Sequence, residues 1–332
     1  MKDYDLIAIG DITTDAFIRL KNARVDCDFD RKNCQLCVTF GDKIPYEFVE
    51  VVPAVGNSPN AAVSASRLGL RSALVSNLGD DNNGRECLNS LKRDAVSLEL
   101  MRIHEGMKTN YHYVLWYEDE RTILIKHEEF EYKLPKIPPT KWLYLSSLGS
   151  NATEYHKEVS DYLVRHSDIK LAFQPGTFQL RLGYQHLKTI YERSDIFFCN
   201  VAEAHKVLEK EKNGIEISEL LKGVHALGPQ VVVITDGAKG AYVYDGSEML
   251  FMPPYPDPSP PFERTGAGDA FASTFTSALA LGKSVKEALS WAPINSMSVV
   301  QQVGAQKGLL KREKLEEYLK EAPESYRPQN IK

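Results

Sequence analysis

The chain of 332 residues contains no apolar run approaching the roughly 20 residues needed to span a bilayer. Met1 to Gly10 runs directly into a strand-like pattern, without a basic start and a long apolar stretch, so no secretory leader is expected. Cysteine is scarce and odd in number, five in all, which suits reduced thiols and not a disulfide framework. Cys34 and Cys37 form a C-x-x-C with Cys27 upstream, but no second pair follows to complete a zinc site. Charge is balanced, with a formal net charge of -5, so nucleic acid and anionic membranes are not expected partners. No G-x-x-x-x-G-K-[ST] occurs, which excludes a P-loop. The glycines before Phe271 fail the dinucleotide fingerprint, which needs a small residue there after a strand. A cytoplasmic enzyme or binding protein remains.

What is present is an alternation of short apolar runs and helical stretches. Tyr4 to Ile9, Ser72 to Ser76, Trp142 to Leu145, Lys170 to Phe173, Asp195 to Phe198 and Val231 to Ile234 read as strands. Ala61 to Leu68, Glu154 to His166 and Val201 to Leu208 read as helices. This predicts a doubly wound, mostly parallel sheet covered by helices. Two β excursions interrupt it. One spans Phe17 to Val52, with strands at Val38–Phe40 and Phe48–Val52. The other is a hairpin at Asn110 to Ile125, turning at Glu118-Asp119-Glu120. Paired with each other, they would make a small sheet over the active-site edge, serving as a lid or as plain surface structure. The last third is helical, at Ala267 to Leu281, Ser284 to Val300 and Lys311 to Leu319, with Gly282 ending one helix and Ser284 capping the next.

The strongest local signal is Arg264-Thr265-Gly266-Ala267-Gly268-Asp269-Ala270-Phe271. Gly266 and Gly268 let a ligand approach the backbone, and the helix start aims free N–H groups at it. Asp269, in the first turn, suits a base that takes the proton of a phosphoryl-accepting hydroxyl while the N–H groups of Ala267, Gly268 and Asp269 hold the transferring oxygens. The competing reading is a helix cap. Asn200-Val201-Ala202-Glu203 opens a helix after a strand. It reads either as a capping box or as a phosphate contact with Glu203 holding hydrated magnesium. Thr235 and Gly237, at the end of a core strand, suit phosphate binding or a plain hairpin turn. Asp15, past the first strand, and Gly56, Asn57 and Asn60, in a turn before a helix, suit polyol recognition or local turn chemistry.

Taken in order, these motifs resemble the ribokinase-like carbohydrate kinases, the PfkB family. The resemblance runs from Gly10 and Asp15 through Gly56–Asn60, Asn200-x-x-Glu203 and Thr235-x-Gly237 to Gly266–Asp269. It implies a single domain over 1–332 with a three-layer αβα core and a β-sheet lid from about 16–52 and 108–127, a lid often used for dimerisation. It further implies ATP-dependent phosphorylation with magnesium. Asp269 would be the base, and Gly266, Ala267 and Gly268 the anion hole. Asn200, Thr235 and Gly237 would lie at the nucleotide phosphates, Glu203 near magnesium, and Asp15, Gly56, Asn57 and Asn60 at a sugar-like acceptor. Asn295 falls where the family lines the adenine pocket. Four positions depart from the family. Val55 stands where a second glycine is common, Glu263 replaces an Asp associated with a monovalent cation, and Ser146 and Ser147 replace an acidic sugar contact. The acceptor is therefore open. A sugar leads. A nucleoside could stack on Tyr111, Tyr113 and Trp116, and a phosphosugar could use Lys108, Arg121, Lys126 or Arg181. A silent sensor on the same fold is the non-enzymatic alternative.

Overall fold

A computed structural model describes residues 3–28, 34–118, 120–210 and 215–331. Met1, Lys2 and the turn residue Asp119 of the sequence reading lie outside these ranges. The first strand, β1 (Tyr4–Ile9), sends Leu6 and Ala8 into one apolar cluster and Ile7 and Ile9 into another. A strand apolar on both faces requires helices on both faces, and the rest of the chain supplies them.

After β1 come β2 (Thr13–Leu20), β3 (Arg24–Cys27), β4 (Cys34–Cys37), β5 (Tyr46–Val55), α1 (Asn57–Arg67), β6 (Ser72–Gly79), α2 (Asn82–Arg93) and β7 (Met101–His104). The middle of the chain forms β8 (Tyr111–Tyr117), β9 (Glu120–Leu124), β10 (Thr140–Leu145), α3 (Thr153–Arg165), β11 (Lys170–Phe173), α4 (Thr177–Leu182), α5 (Tyr184–Arg193), β12 (Ile196–Asn200) and α6 (Val201–Val207). The remainder forms α7 (Ile217–His225), β13 (Val231–Thr235), β14 (Ala241–Tyr244), β15 (Met249–Met252), α8 (Ala267–Ala280), α9 (Val285–Val299), α10 (Arg312–Lys320) and β16 (Gln329–Ile331).

Ten strands form the main sheet in the order β16-β15-β14-β13-β12-β11-β10-β1-β6-β7. The run from β13 to β7 is parallel, whereas β14, β15 and β16 pair antiparallel at one edge. One cluster joins α1, α2, α8, α9 and α10 to the sheet, and the other joins α3, α5, α6 and α7. The result is the expected three-layer αβα arrangement. Successive strands run outward from β1 to β7 on one side and from β10 to β13 on the other, so the topological switch falls between β1 and β10. Ligands of such sheets bind outside the carboxyl ends of the strands at that point.

The two β excursions do pair. A second sheet has the order β5-β2-β8-β9, with β2 parallel to β8 and antiparallel to β5. Its underside buries Phe17, Val114 and Trp116 against Val303, and Phe262 meets the Trp116 ring edge-on at 5.0 Å. A register shift between Thr13 and Asp15 interrupts the β2–β5 ladder, an irregularity that re-aims the side chain beside it.

Three expectations fail here. Val38 to Phe40 lies outside any strand, because the chain pairs at Cys34–Cys37 with β3 instead and leaves Phe40 fully exposed. Cys27 and Cys34 are bonded as a disulfide across that hairpin, not reduced, since the pairing sets their Cα atoms 4.1 Å apart. Gly56 to Asn60 is not a free turn: Gly56 is the N-cap of α1, and Asn57 already lies in the helix.

Candidate active site

The helix α8 starts from Gly266, which adopts φ 83°. A Cβ there would sit 2.3 Å from the Ala305 Cβ, so both conformation and space demand glycine. No side chain among the described residues caps this helix start, which leaves its first-turn N–H groups for a ligand. A Cβ at Gly268 would meet nothing within 4 Å. That glycine faces open space.

Asp269 does not cap its own helix. Its Oδ1 accepts from Asn57 Nδ2 at 2.9 Å and from Gln174 Nε2 at 3.0 Å, and its Oδ2 accepts from Asn60 Nδ2 at 2.8 Å. Asn57 and Asn60 reach it together because residues three apart on a helix share a face. For Asn60 and Gln174, outer partners fix which end of the amide faces the carboxylate. Gln306 Nε2 donates to Asn60 Oδ1 at 2.9 Å, and the Tyr144 hydroxyl donates to Gln174 Oε1. With their oxygens so occupied, both amides turn an NH2 toward Asp269. Burial raises the Asp269 carboxyl above its ordinary range, and the bonds from Asn60 and Gln174, with the Arg121 charge, pull it part of the way back. Gln174 escaped the sequence reading. Its signal was its place, the first residue beyond β11 at the carboxyl edge of the sheet.

Along the same edge, Asn200 and Thr235 are direct register partners at the ends of β12 and β13. Asn200 and Glu203 form a reciprocal capping box, with Asn200 Oδ1 accepting from the Glu203 N–H and Glu203 Oε2 from the Asn200 N–H, both at 2.9 Å. Burial raises the Glu203 carboxyl, and the Asp269 charge adds to the shift. Gly237, at φ 53°, opens the turn that joins β13 to β14, and a Cβ there would meet nothing within 4 Å. Asn295 is set apart from this row. It is wholly buried, its Nδ2 donates to Thr274 Oγ1 at 2.8 Å and its Oδ1 accepts from the Leu310 N–H at 2.9 Å. Both ends of the amide serve packing, so the expected adenine contact is withdrawn.

On the other side of Asp269, Asp15 is buried on β2 beneath the small sheet, a strand residue and not a turn residue. His112, its register partner on β8, places Nδ1 3.3 Å from Asp15 Oδ1. Asp11, just beyond β1, accepts the Tyr132 hydroxyl at 2.9 Å on each oxygen and lies 3.3 Å from His127 Nδ1. Gly56, at φ 122°, is held against this corner, since a Cβ would fall 2.7 Å from the Asp11 carbonyl oxygen. Ser146 is tied to Ser58 in the floor, and Ser58 donates to the Ile9 carbonyl at 2.7 Å. Glu263 is buried, accepts from the Thr265 N–H at 2.8 Å, and lies 3.8 Å from Arg121 Nε. Trp116 is only 2% exposed. It packs under the small sheet and cannot stack on a base.

The sequence profile of the pfkB family carbohydrate kinases matches residues 43–312. The chain belongs to that family. This carbohydrate kinase is 29% identical to the ribokinase of Bacillus subtilis (strain 168), over 81% of this chain and 88% of that one. It is 23% identical to an ATP-dependent 6-phosphofructokinase of Thermoanaerobacterium thermosaccharolyticum, over 92% and 90%. Among solved structures, Arabidopsis thaliana ribokinase complexed with ribose and ATP superposes with a TM-score of 0.79 at 19% identity, covering 96% of this chain and 99% of that one. A nucleoside kinase of Methanocaldococcus jannaschii gives 0.75 at 19%, over 96% and 98%. The kinase therefore has the ribokinase fold, and it transfers the γ-phosphoryl group of ATP to an alcohol group of a sugar-like acceptor.

Proposed function

We propose that Asp269 is the base of this transfer, working between a donor row along the carboxyl edge of the main sheet and an acceptor corner roofed by the small sheet. The observation that carries this reading is the position of Asp269. Its carboxylate is oriented by three carboxamides, and it stands in the first turn of a helix whose N–H groups have no side-chain cap among the described residues. In the transfer, an acceptor hydroxyl oxygen bonds to the γ-phosphorus while its proton passes to an Asp269 oxygen. The bond from the γ-phosphorus to the β,γ-bridging oxygen breaks, and ADP leaves with that oxygen. The N–H groups of Ala267, Gly268 and Asp269 meet the charge on the transferring oxygens, with Gly266 setting the turn.

Asn200, Thr235 and Gly237 are assigned to the nucleotide phosphates. Glu203 fits magnesium, because a carboxylate made costly by burial and a neighbouring negative charge gains from a cation. When bound, that ion would neutralise phosphate charge. Asp15, Gly56, Asn57 and Asn60 are assigned to the acceptor. The small sheet over 16–52 and 108–127 is read as a lid, and its exposed Val49, Val51, Tyr113, Ile123 and Leu124 favour a homodimer through it. Glu263 already has the Arg121 charge beside it, so turnover is expected without added potassium. A cytoplasmic location accords with these substrates.

The test is ADP release over a panel of sugars, sugar phosphates and nucleosides. The wild type is expected to turn over at least one of them, and Asp269→Asn to bind ATP with most turnover lost. Wild-type turnover in that variant would overturn the assignment, and no release with any acceptor would favour the silent sensor.

A further inference from the structure

The acceptor corner holds more side-chain chemistry than the four residues assigned above. Two carboxylates, Asp11 and Asp15, are each only 7% exposed. Each faces an imidazole at 3.3 Å, Asp15 with His112 and Asp11 with His127. The two rings lie 5.2 Å apart, and His127 meets Phe178 edge-on at 5.6 Å. Three of these buried polar atoms, Asp15 Oδ1, His112 Nε2 and His127 Nδ1, make no hydrogen bond among the described residues, and the 3.3 Å approaches of Asp15 Oδ1 and His127 Nδ1 are ion-pair contacts alone. Buried polar groups are nearly always satisfied, and a cluster of exceptions at one corner calls for a missing partner. Gly56, packed against the Asp11 carbonyl, directly precedes Asn57, which donates to Asp269 Oδ1 at 2.9 Å, so the cluster adjoins the proposed base.

The chemistry of these groups narrows that partner. A carboxylate only accepts hydrogen bonds, whereas an imidazole can donate from one nitrogen and accept at the other. A hydroxyl does both, so adjacent hydroxyls could donate to the carboxylates and accept from the rings. A phosphate dianion only accepts and carries the same charge as Asp11, Asp15 and Asp269. Two cations of the roof are engaged, Arg121 facing Glu263 and Lys126 lying 2.9 Å from Glu128, while Lys108 is exposed at its edge. Arg181 is exposed, 5.8 Å over the Phe178 ring.

We infer that Asp11, His112 and His127 join Asp15 in a clamp for neighbouring hydroxyls of an uncharged sugar, and that this clamp selects against sugar phosphates. The inference rests on the reading of this corner as the acceptor site. The sugar can be free or the ribose of a nucleoside, and the experiment separates the two.

Direct binding is measured by ligand-observed saturation-transfer NMR with D-ribose, D-fructose, adenosine, D-ribose 5-phosphate and D-fructose 6-phosphate. The proteins are wild type, His112→Phe, His127→Phe and the milder His112→Gln, each checked by thermal melting and ATP binding. Uncharged ligands are expected to bind the wild type, and each Phe variant to weaken them by about tenfold, as when a single hydrogen bond to a hydroxyl is lost. His112→Gln should recover part of that loss. A response from D-ribose and D-fructose identifies a free sugar, and one from adenosine alone identifies a nucleoside. Preference for either phosphate, no binding of any uncharged ligand, or unchanged binding in both Phe variants would overturn the clamp. ADP release on the same samples judges phosphoryl transfer separately, so a bound sugar without turnover would count against Asp269 and not against the clamp.

Discussion

The two sides of Asp269 are built differently. The proposed donor side consists of strand and helix ends: Asn200 and Glu203 cap each other, the start of α8 has no side-chain cap among the described residues, and Gly237 and Gly268 face open space. The proposed acceptor side consists of buried side chains, and several of their polar atoms make no hydrogen bond among the described residues. On the proposed assignment, backbone at the ends of strands and helices would bind what is common to every reaction of the family. Side chains on a separate sheet can vary without disturbing it, so acceptor choice belongs there. Substitutions should therefore split by side, donor changes acting on ATP and acceptor changes on the sugar.

The largest effect is expected at the junction. Asp269→Asn should lower kcat by about a thousandfold, in the range for loss of a positioned base, with ATP affinity retained; a coupled ADP assay beside ATP calorimetry checks it. Gly266→Ala should come next, because the new Cβ would press on Ala305 2.3 Å away at a φ of 83°. A melting-point drop together with lost turnover is the expected outcome. Asn295→Ala should cost about 2 kcal/mol of stability by orphaning the Leu310 N–H and the Thr274 hydroxyl, with KM for ATP unchanged. A rise in that KM would restore Asn295 to the nucleotide site. Asn200→Ala should be the mildest, losing about 1 kcal/mol with the cap and raising KM for ATP but not for the acceptor. An effect on the acceptor alone would erase the division between the two sides.

Much of this was legible in the sequence, for local reasons. Strands buried on both faces announce themselves as short apolar runs, and the glycines and carboxylate of Gly266 to Asp269 lie within one helical turn. Even the pairing of the two β excursions followed from their pattern. What was not legible depends on distance along the chain. Asn57, Asn60 and Gln174 converge on Asp269 from two other elements, and no local pattern marks Gln174. His112 and His127 read as ordinary lid residues until β8 is set in register with β2 and brings His112 to Asp15. Asn295 shows the converse: its position in the motif order implied a ligand contact, but helix α9 turns it into the core. Likewise, the Cys27–Cys34 bond depends on the pairing of Arg24–Cys27 with Cys34–Cys37, two short strands with no buried face to mark them in the sequence.

The most direct test of Asp269 as base is the pH dependence of kcat/KM for the acceptor in wild type and in Gln174→Met. The base must be ionised, and burial raises its carboxyl, so the wild-type acid limb should fall at higher pH than for an ordinary aspartate. The bond from Gln174 pulls that carboxyl down. Its removal should therefore move the limb to still higher pH. A limb that stays in place while the plateau falls would mean that some other group titrates, and would contradict Asp269 as the base.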